Sequence, residues 1–349
     1  MQHSTWKILF FLFFMASCDH GKSPDSPLTV QVPQTSLRAE PNEKSRELAV
    51  LRKDQIVTDL GEVGPSESQI MLGDALIQTP WIKVQTGKDQ SGWVPGWALS
   101  PSMDKETWLI HKRLDCYFGK GLRNRQNTLK QQFASAETEQ QLSLAWLEAT
   151  QLRDTFLWQL SSRPEVGFQP DFSWMNEILP GFIYQKMTEG NRPYLFADFQ
   201  VWQQKALKTK GLQDDVYFQI CLNAFLTDSI ESFFPVWKFQ LSESESASQL
   251  GTGQHLKMLQ QISQAMPNAV LFNQSLLSLK DEVLEDVFDK NQRYWQPKEK
   301  ILAELAEILA NPPECLNAAE KDALGIRKKM FEDPAANGIE VNRRSGLEE

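Results

Sequence analysis

The chain has no excess of positive charge. Of its 349 residues, 36 are Lys or Arg and 45 are Asp or Glu, which gives a net charge of −9. A nucleic-acid-binding protein needs a basic surface to neutralise phosphates, so this balance argues against a nucleic-acid partner. The hydrophobic fraction of 41% is ordinary for a globular protein and argues against wholesale disorder. The length leaves room for about two domains.

Histidine and cysteine are scarce, with four residues of each. The sequence contains no His-x-x-x-His pair, no Cys-x-x-Cys pair, no phosphate-binding loop and no Gly-x-Gly-x-x-Gly motif, so it predicts neither a metal site nor a cofactor. Beyond Cys18, the chain has Cys116, Cys221 and Cys315. One disulfide could join two of these three in an oxidising compartment, and the sequence does not choose between the pairs.

The sequence also lacks an apolar run long enough for a membrane helix in its N-terminal segment. The run Ile8–Met15 is far shorter than the roughly 20 residues that a membrane span requires, but it suits the apolar core of a signal peptide. Ala16, Ser17 and Cys18 follow directly. Small residues before a cysteine at this place resemble the lipobox of bacterial lipoproteins.

The lipobox resemblance implies that Cys18 is acylated with diacylglycerol and becomes the mature N-terminus. Residues 1–17 are then the signal peptide and residues 18–27 a tether, rich in polar residues and proline. The expected location is the cell envelope, anchored to a membrane through the N-terminal lipid and either periplasmic or surface-exposed. The alternative is an ordinary cleaved signal peptide whose next residue happens to be cysteine.

Residues 28–100 contain short extended runs separated by proline and glycine. In the run Trp81–Val84, Ile82 and Val84 share one face, whereas Trp81 and Lys83 share the other, as in a strand with one buried side. The segment from Gly61 to Pro80 is longer than a minimal barrel needs, which indicates an extended hairpin or loop.

Three blocks of this region resemble the bacterial SH3-like domain: Ser36–Pro41, Leu48–Val57, and the Trp81–Val84 run with Gly92–Val94. The resemblance implies a small SH3-like β-barrel that binds cell-wall peptide or glycan in some members and is an adaptor in others. Asp54 occupies a turn usually filled by glycine, which Asp tolerates because it accepts a left-handed backbone more readily than most residues.

The tryptophans of the barrel have two possible roles. In the family, Trp81 and Trp93 correspond to residues that fill or seal the barrel. Trp97, in the second Gly-Trp dipeptide, is expected to be partly exposed. It could stack on a ligand such as a sugar, or cover the junction with the next domain, and both roles stay open.

Residues 101–331 have the apolar periodicity of helices and predict an all-α domain of about eight helices, followed by a flexible tail over 332–349. One predicted helix contains Ala145–Leu160, and another extends from Val216 to Phe233. The serine-rich segment Ser242–Ser248 predicts an exposed loop. The fold class is therefore multidomain, a β-barrel followed by helices.

Two weak resemblances would make the protein a cell-wall hydrolase. Asp115-Cys116 faintly resembles the start of a cysteine-peptidase motif, but the only downstream histidine is His255, and a nucleophilic cysteine needs such a base. Glu231-Ser232 resembles the catalytic pair of all-α lytic transglycosylases, whose glutamate must be buried to act as a general acid. Pro235 is one residue early for that family and the glycine-rich motif that should follow is missing. Glu231 is therefore interpreted as a solvated helix residue.

The sequence thus favours a non-enzymatic envelope lipoprotein over a hydrolase. It predicts binding of peptidoglycan or an envelope protein through the barrel, with Trp97 as the ligand contact. No catalytic residue is assigned.

Overall fold

A computed structural model describes residues 26–87, 89–163, 170–187, 193–226, 228–243 and 245–342. The contacts divide the chain into two compact units, Met1–Cys116 and Tyr117–Glu349. The predicted signal peptide, Cys18 and the tether up to residue 25 lie outside the described residues.

The first unit is a seven-stranded sheet in the order β3-β2-β6-β5-β4-β1-β7, and its paired strands are antiparallel. The strands are β1 Ser26–Val30, β2 Gln34–Arg38, β3 Glu47–Arg52, β4 Ile56–Leu72, β5 Ala75–Thr86, β6 Ser91–Pro95 and β7 Leu99–Pro101. The extra length predicted between Gly61 and Pro80 is an extended hairpin, because β4 and β5 remain paired almost to Gly73.

Period-2 alternation gives this sheet one core. Alternate side chains of a strand point to the same face, and the inward set from every strand forms a single buried cluster, which includes Leu28, Leu37, Leu51, Val57, Ile82, Val94 and Leu99. At the turn before β4, Asp54 has a φ of 65°, the left-handed conformation predicted for it.

The first turns of helix α1, Lys105–Ser135, belong to the same unit as the sheet. Trp108 is buried in the barrel core, and Lys112 Nζ lies 2.7 Å from Asp59 Oδ2 with both side chains buried. The division between the units therefore follows Cys116, whereas the sequence placed the domain boundary at 100/101.

The second unit is mainly helical, with Gly119 in a non-helical conformation within α1. The remaining helices are α2 Glu139–Ser161, α3 Phe199–Ala206, α4 Gln213–Ala224, α5 Gln254–Ala265, α6 Asn273–Phe288, α7 Lys298–Ala310 and α8 Ala318–Met330. Thr138 and Gln141 form a capping box that starts α2, so the helix predicted over Ala145–Leu160 is confirmed.

The predicted fold class, an SH3-like β-barrel followed by a helical domain, is confirmed, and the helical unit also contains two small hairpins. Strands β8 Phe182–Lys186 and β9 Pro193–Ala197 form one, and β10 Lys238–Gln240 and β11 Ser246–Ser248 form the other. The second hairpin includes the end of the serine-rich segment expected as an exposed loop. Ser248 of this hairpin is buried, and its hydroxyl is satisfied by donating to Asp286 at 2.5 Å.

The long helix predicted from Val216 to Phe233 is wrong beyond Ala224, where α4 ends. The chain then turns, with Ser229 at a φ of 60°, and Glu231 N donates to Ala197 O at the end of β9. Pairing with a strand replaces the helical hydrogen bonds at this point.

The tail predicted to be flexible from residue 332 keeps contacts up to residue 342. Tyr294 N donates to Glu340 O, and Ile339 is buried. Hydrophobic burial and this backbone bond tie residues 332–342 to the second unit; residues 343–349 lie outside the described residues.

Candidate functional site

Trp97 lies on the short 3₁₀ turn Gly96–Ala98 between β6 and β7. Its side chain is half-buried and packs against the barrel core, as does Leu109 of α1. The backbone N–H of Trp97 donates to Thr79 Oγ1 at 3.0 Å, and its backbone carbonyl accepts from Lys105 Nζ at 3.3 Å and from Gln31 Nε2. Trp97 is thus held between the sheet and the first turn of α1. Its role in ligand binding stays a prediction.

Trp93 lies on the outer face of the sheet and is half-buried outside the core cluster. Lys83 is its cross-strand partner on β5, with Nζ 5.7 Å from the indole centroid, and Arg38 is its partner on β2. Lys83 Nζ also lies 2.9 Å from a carboxylate oxygen of Glu62. We call these four residues the Trp93 face. An aromatic ring beside a cation can stack on a flat group of a ligand.

The sequence prediction missed Trp93 as a surface residue because it grouped Trp93 with Trp81 as barrel fillers. Trp81 is only 4% exposed, yet it lies on the same outer side, covered by Pro41 and Gly64. A Cβ at Gly64 would lie 2.8 Å from Pro41 Cβ and 2.9 Å from Trp81 Cβ, so glycine is required for this close approach. The alternation of side chains along β6 could have predicted this exposure, because Val94 points inward and the adjacent Trp93 must therefore point outward.

The second unit contains a cavity of about 580 Å³ bordered by the β8–β9 hairpin, the loop after α4 and β10. Phe196 and Phe233 pack edge to face with centroids 5.1 Å apart, and Phe233 remains 39% exposed. The only cation lining the cavity among the described residues is Lys238, and its amides are Gln185, Gln240, Gln249 and Gln254.

Glu231 also lines this cavity, but as an acceptor rather than a proton donor. Arg153 Nη1 donates to both its carboxylate oxygens, at 2.8 and 3.1 Å, and Ala197 N donates to Oε2 at 2.9 Å. The interpretation of Glu231 as a solvated helix residue is therefore wrong: it is half-buried, on a loop, and ion-paired. A carboxylate whose two oxygens accept these hydrogen bonds is not placed to protonate a leaving group.

Glu282 on α6 responds electrostatically to Glu231. The Glu282 side chain is exposed, but the protein around its carboxyl desolvates it. This desolvation and the negative charge of Glu231 together raise its pKa to about 7, although the positive charges of Arg153 and Lys238 oppose the rise. The region thus contains one carboxylate held by an arginine and one that takes up a proton readily.

The other residues considered for chemistry are buried. Cys116 is buried on α1, and His255 is fully buried with Nε2 2.8 Å from Asp286 Oδ2. Burial raises the thiol pKa values of Cys221 and Cys315, which disfavours a reactive thiolate. None of these three cysteines forms a disulfide.

No group of three or more His, Cys, Asp or Glu side chains among the described residues could hold a metal ion. No helix in the same part of the chain is both long and apolar enough to cross a membrane.

Comparison with known protein families gives one match, over residues 33–100. The match is to the bacterial SH3 domain. It confirms the family resemblance predicted from the three sequence blocks, and the rest of the chain has no family match. No curated protein and no solved structure matches the chain.

The bacterial SH3 match contains both candidate contact residues, Trp93 and Trp97, but not the whole sheet. Strand β1 precedes the matched range, yet it pairs with β4 and β7 and contributes Leu28 to the core. The matched family therefore describes β2 to β7, and the chain adds a strand at one end and the first turns of α1 at the other.

Proposed function

We propose that this protein is an exported, lipid-anchored protein of the cell envelope whose SH3-like sheet is a binding or adaptor module. The bacterial SH3 match over residues 33–100 is the observation that carries the proposal. The signal-like N-terminus ending at Cys18 supports export and anchoring. The ligand is peptidoglycan or another envelope protein, and the protein itself is not an enzyme.

Two tryptophans are the proposed contacts. Trp97 is half-buried and fixed through its backbone, and the Trp93 face presents an indole beside Lys83 and Arg38. An indole positioned by its neighbours loses little conformational entropy when it stacks on a sugar or a peptide group. Because Glu62 pairs with Lys83, the Trp93 face offers mainly its indole, which suits stacking on a sugar or a peptide group.

Co-sedimentation with purified peptidoglycan sacculi, together with affinity capture from solubilised envelopes, tests the binding role. We expect the full chain to sediment with sacculi or to retain a defined envelope protein. If the folded protein binds neither, the binding proposal is wrong.

Fractionation of cells that express wild-type and Cys18→Ser chains tests the anchor. Acylation of Cys18 predicts that the wild-type protein partitions with membranes and that Cys18→Ser is released, because a single cysteine carries all the lipid. Mass spectrometry of the N-terminal peptide should show the added lipid mass. An unmodified Cys18, or unchanged membrane partition of the variant, would refute the anchor.

The alternative function is a cell-wall hydrolase that uses the second unit. The cavity with Glu231 on its wall is the observation in its favour, and the Arg153 ion pair argues against it. Zymography on peptidoglycan decides between them. We expect no clearing; clearing that is lost in Glu231→Gln or Cys116→Ala, but retained in the exposed control Glu307→Gln, would replace the binding proposal by the enzyme.

A further inference from the structure

The β4–β5 hairpin continues beyond the rest of the sheet as a two-stranded arm. Strand β4 pairs with β1 only over residues 56–59, and β5 pairs with β6 only over residues 81–85. From Glu67↔Pro80 to Leu72↔Ala75, the two strands pair only with each other among the described strands. We call residues 67–80 the arm.

The base of the arm is fixed by α1. Arg113 donates to Glu67 Oε1 at 3.2 Å and to Gln78 O at 2.8 Å, and Glu67 and Gln78 are both buried. Ser68 and Thr79, the next cross-strand pair, are buried as well. These bonds hold the arm at its base, so its outer end is presented in a defined direction.

The tip of the arm consists of apolar residues, and one of its two faces is exposed. Residues 70–72 and 75–77 are all apolar, and Asp74 is the only charged residue between Gln69 and Gln78. Ile70 pairs with Ile77 on a half-buried face, and Met71 pairs with Leu76 on the exposed face. Met71 is 60% exposed and Leu76 is 52% exposed. A ribbon that projects into water normally keeps one polar face, because a single apolar face is enough to pack on a core.

The proposed anchor at Cys18 favours a bilayer over a protein groove as the occupant, because it keeps the exposed face of the tip close to a membrane. The edges of residues 70–77 pair with no other described strand, and backbone groups at such an edge cannot enter the hydrocarbon core. The three outer cross-strand pairs span about 10 Å, which matches the depth of about 5–10 Å reached by interfacial segments.

The tether is short enough to bring the arm to the membrane. Seven residues separate Cys18 from Ser26, so the lipid-bearing cysteine lies within about 30 Å of the start of β1. Strand β1 is antiparallel to β4, with Ser26 opposite Asp59 and Thr29 opposite Ile56. Ser26 therefore lies at the end of this pairing nearer to the arm. Strand β4 extends at most about 43 Å from Asp59 to the tip of the arm. This length exceeds the reach of the tether, so the tip can reach the membrane.

We infer that the tip of the arm, residues 70–77, inserts into the interface of the bilayer to which the chain is anchored. This inference rests on the proposed lipid anchor at Cys18. The tip is a second, weak contact that becomes effective because the anchor keeps it close to the membrane, where a contact too weak to hold a free protein is strengthened by its high effective concentration. Since Asp74 is its only charge, insertion needs no anionic lipid.

An environment-sensitive fluorophore at Met71→Cys tests the insertion. To make the test independent of acylation, residues 1–18 are replaced by a hexahistidine, and the chain is held on phosphatidylcholine vesicles that contain a nickel-chelating lipid. The background is Cys315→Ser, because Cys315 is the partly exposed native thiol of the described residues. We expect a blue-shifted emission and quenching by lipids with a quencher on the acyl chain.

The matched control is the same label at Lys53→Cys, an exposed residue in the turn at the opposite end of β4. Its emission should stay that of water. Replacing Leu76 by Asp in the anchored chain that is labelled at residue 71 should return the emission of the label to that of water, because a charge then opposes insertion of the tip. Because the Leu76 side chain is exposed, circular dichroism should show an unchanged fold.

The inference is overturned if the label at residue 71 stays in water while the chain floats with the vesicles. Insertion that appears only with anionic vesicles and disappears in high salt would also overturn it, because the contact would then be electrostatic. Whether the chain is lipid-anchored is measured separately, by fractionation of cells that express the wild-type and Cys18→Ser chains. An acylated chain with a solvated tip, and an inserting tip on a chain that is not acylated, are therefore distinguishable outcomes.

Discussion

At the scale of single residues, the charged side chains around Glu231 in the second unit influence one another's protonation. Arg153 neutralises Glu231 through two short hydrogen bonds, and the charge of Glu231 still raises the pKa of Glu282. Glu282 is therefore the carboxyl of this region that changes charge near neutral pH.

The raised pKa of Glu282 predicts a pH-dependent stability. Its folded pKa of about 7 lies above the ordinary value of 4.5, so the folded state holds a proton that the unfolded state has lost. Stability then falls as pH rises from the ordinary value to the folded value. Glu282→Gln should leave stability unchanged near about pH 4 and raise it near about pH 8, by about 1 kcal/mol or less because the exposed side chain is screened by solvent.

Urea unfolding of wild type and Glu282→Gln at the two pH values measures this effect. Glu307→Gln, an exposed glutamate on α7, is the control and should show no such difference. Equal stabilisation of Glu282→Gln at both pH values would show that the effect is not the titration of this group.

At the scale of elements, buried charged side chains connect helices to their neighbours. Glu304 on α7 accepts from Gly251 N at 2.5 Å, Gly253 N at 3.0 Å and Leu256 N at 3.0 Å. These N–H groups precede or open α5, so a carboxylate from another helix caps its N-terminus.

Glu304→Gln is expected to destabilise the second unit by about 1–3 kcal/mol, because an amide nitrogen then faces buried N–H donors. Glu307→Gln, one turn further along the same helix and exposed, should change stability by less than about 0.5 kcal/mol. Hydrogen exchange of the α5 amides gives the measurement. Equal protection in both variants would contradict the capping role.

Helix α1 stabilises the sheet through the buried ion pair between Lys112 and Asp59. Lys112→Met leaves Asp59 buried without its cation, which should cost about 3–5 kcal/mol. Hydrogen exchange of the β4 and β5 amides should become faster in this variant. The exposed Lys120→Met on the same helix is the control; unchanged protection of β4 in Lys112→Met would show that α1 does not support the sheet.

The sheet was more predictable from sequence than the second unit for a physical reason. Alternation and turn residues are local signals, and they identified the core positions Ile82 and Val84 and the left-handed turn at Asp54. The loop after α4 depends on pairing between Glu231 and Ala197, which are far apart in sequence, so helical periodicity could not reveal it. The cavity and the ion pair of Arg153 were unpredictable for the same reason.

At the scale of the whole molecule, a sheet that matches the bacterial SH3 domain is followed along the chain by a helical unit with no family match, and we propose that an export signal precedes both. The helical unit supplies most of the chain, and its role is not assigned by the SH3 match. The central claim is that the sheet is the part that binds an envelope ligand.

Quantitative co-sedimentation of tryptophan variants with peptidoglycan sacculi tests that claim most directly. Trp93→Ala and Trp97→Ala should each weaken binding by about 1–3 kcal/mol, as loss of an aromatic contact does at other binding sites. Trp158→Ala, which removes a 67% exposed tryptophan from α2, should bind like wild type. Binding that survives both sheet variants, with their fold intact, and is lost in Trp158→Ala would contradict the account.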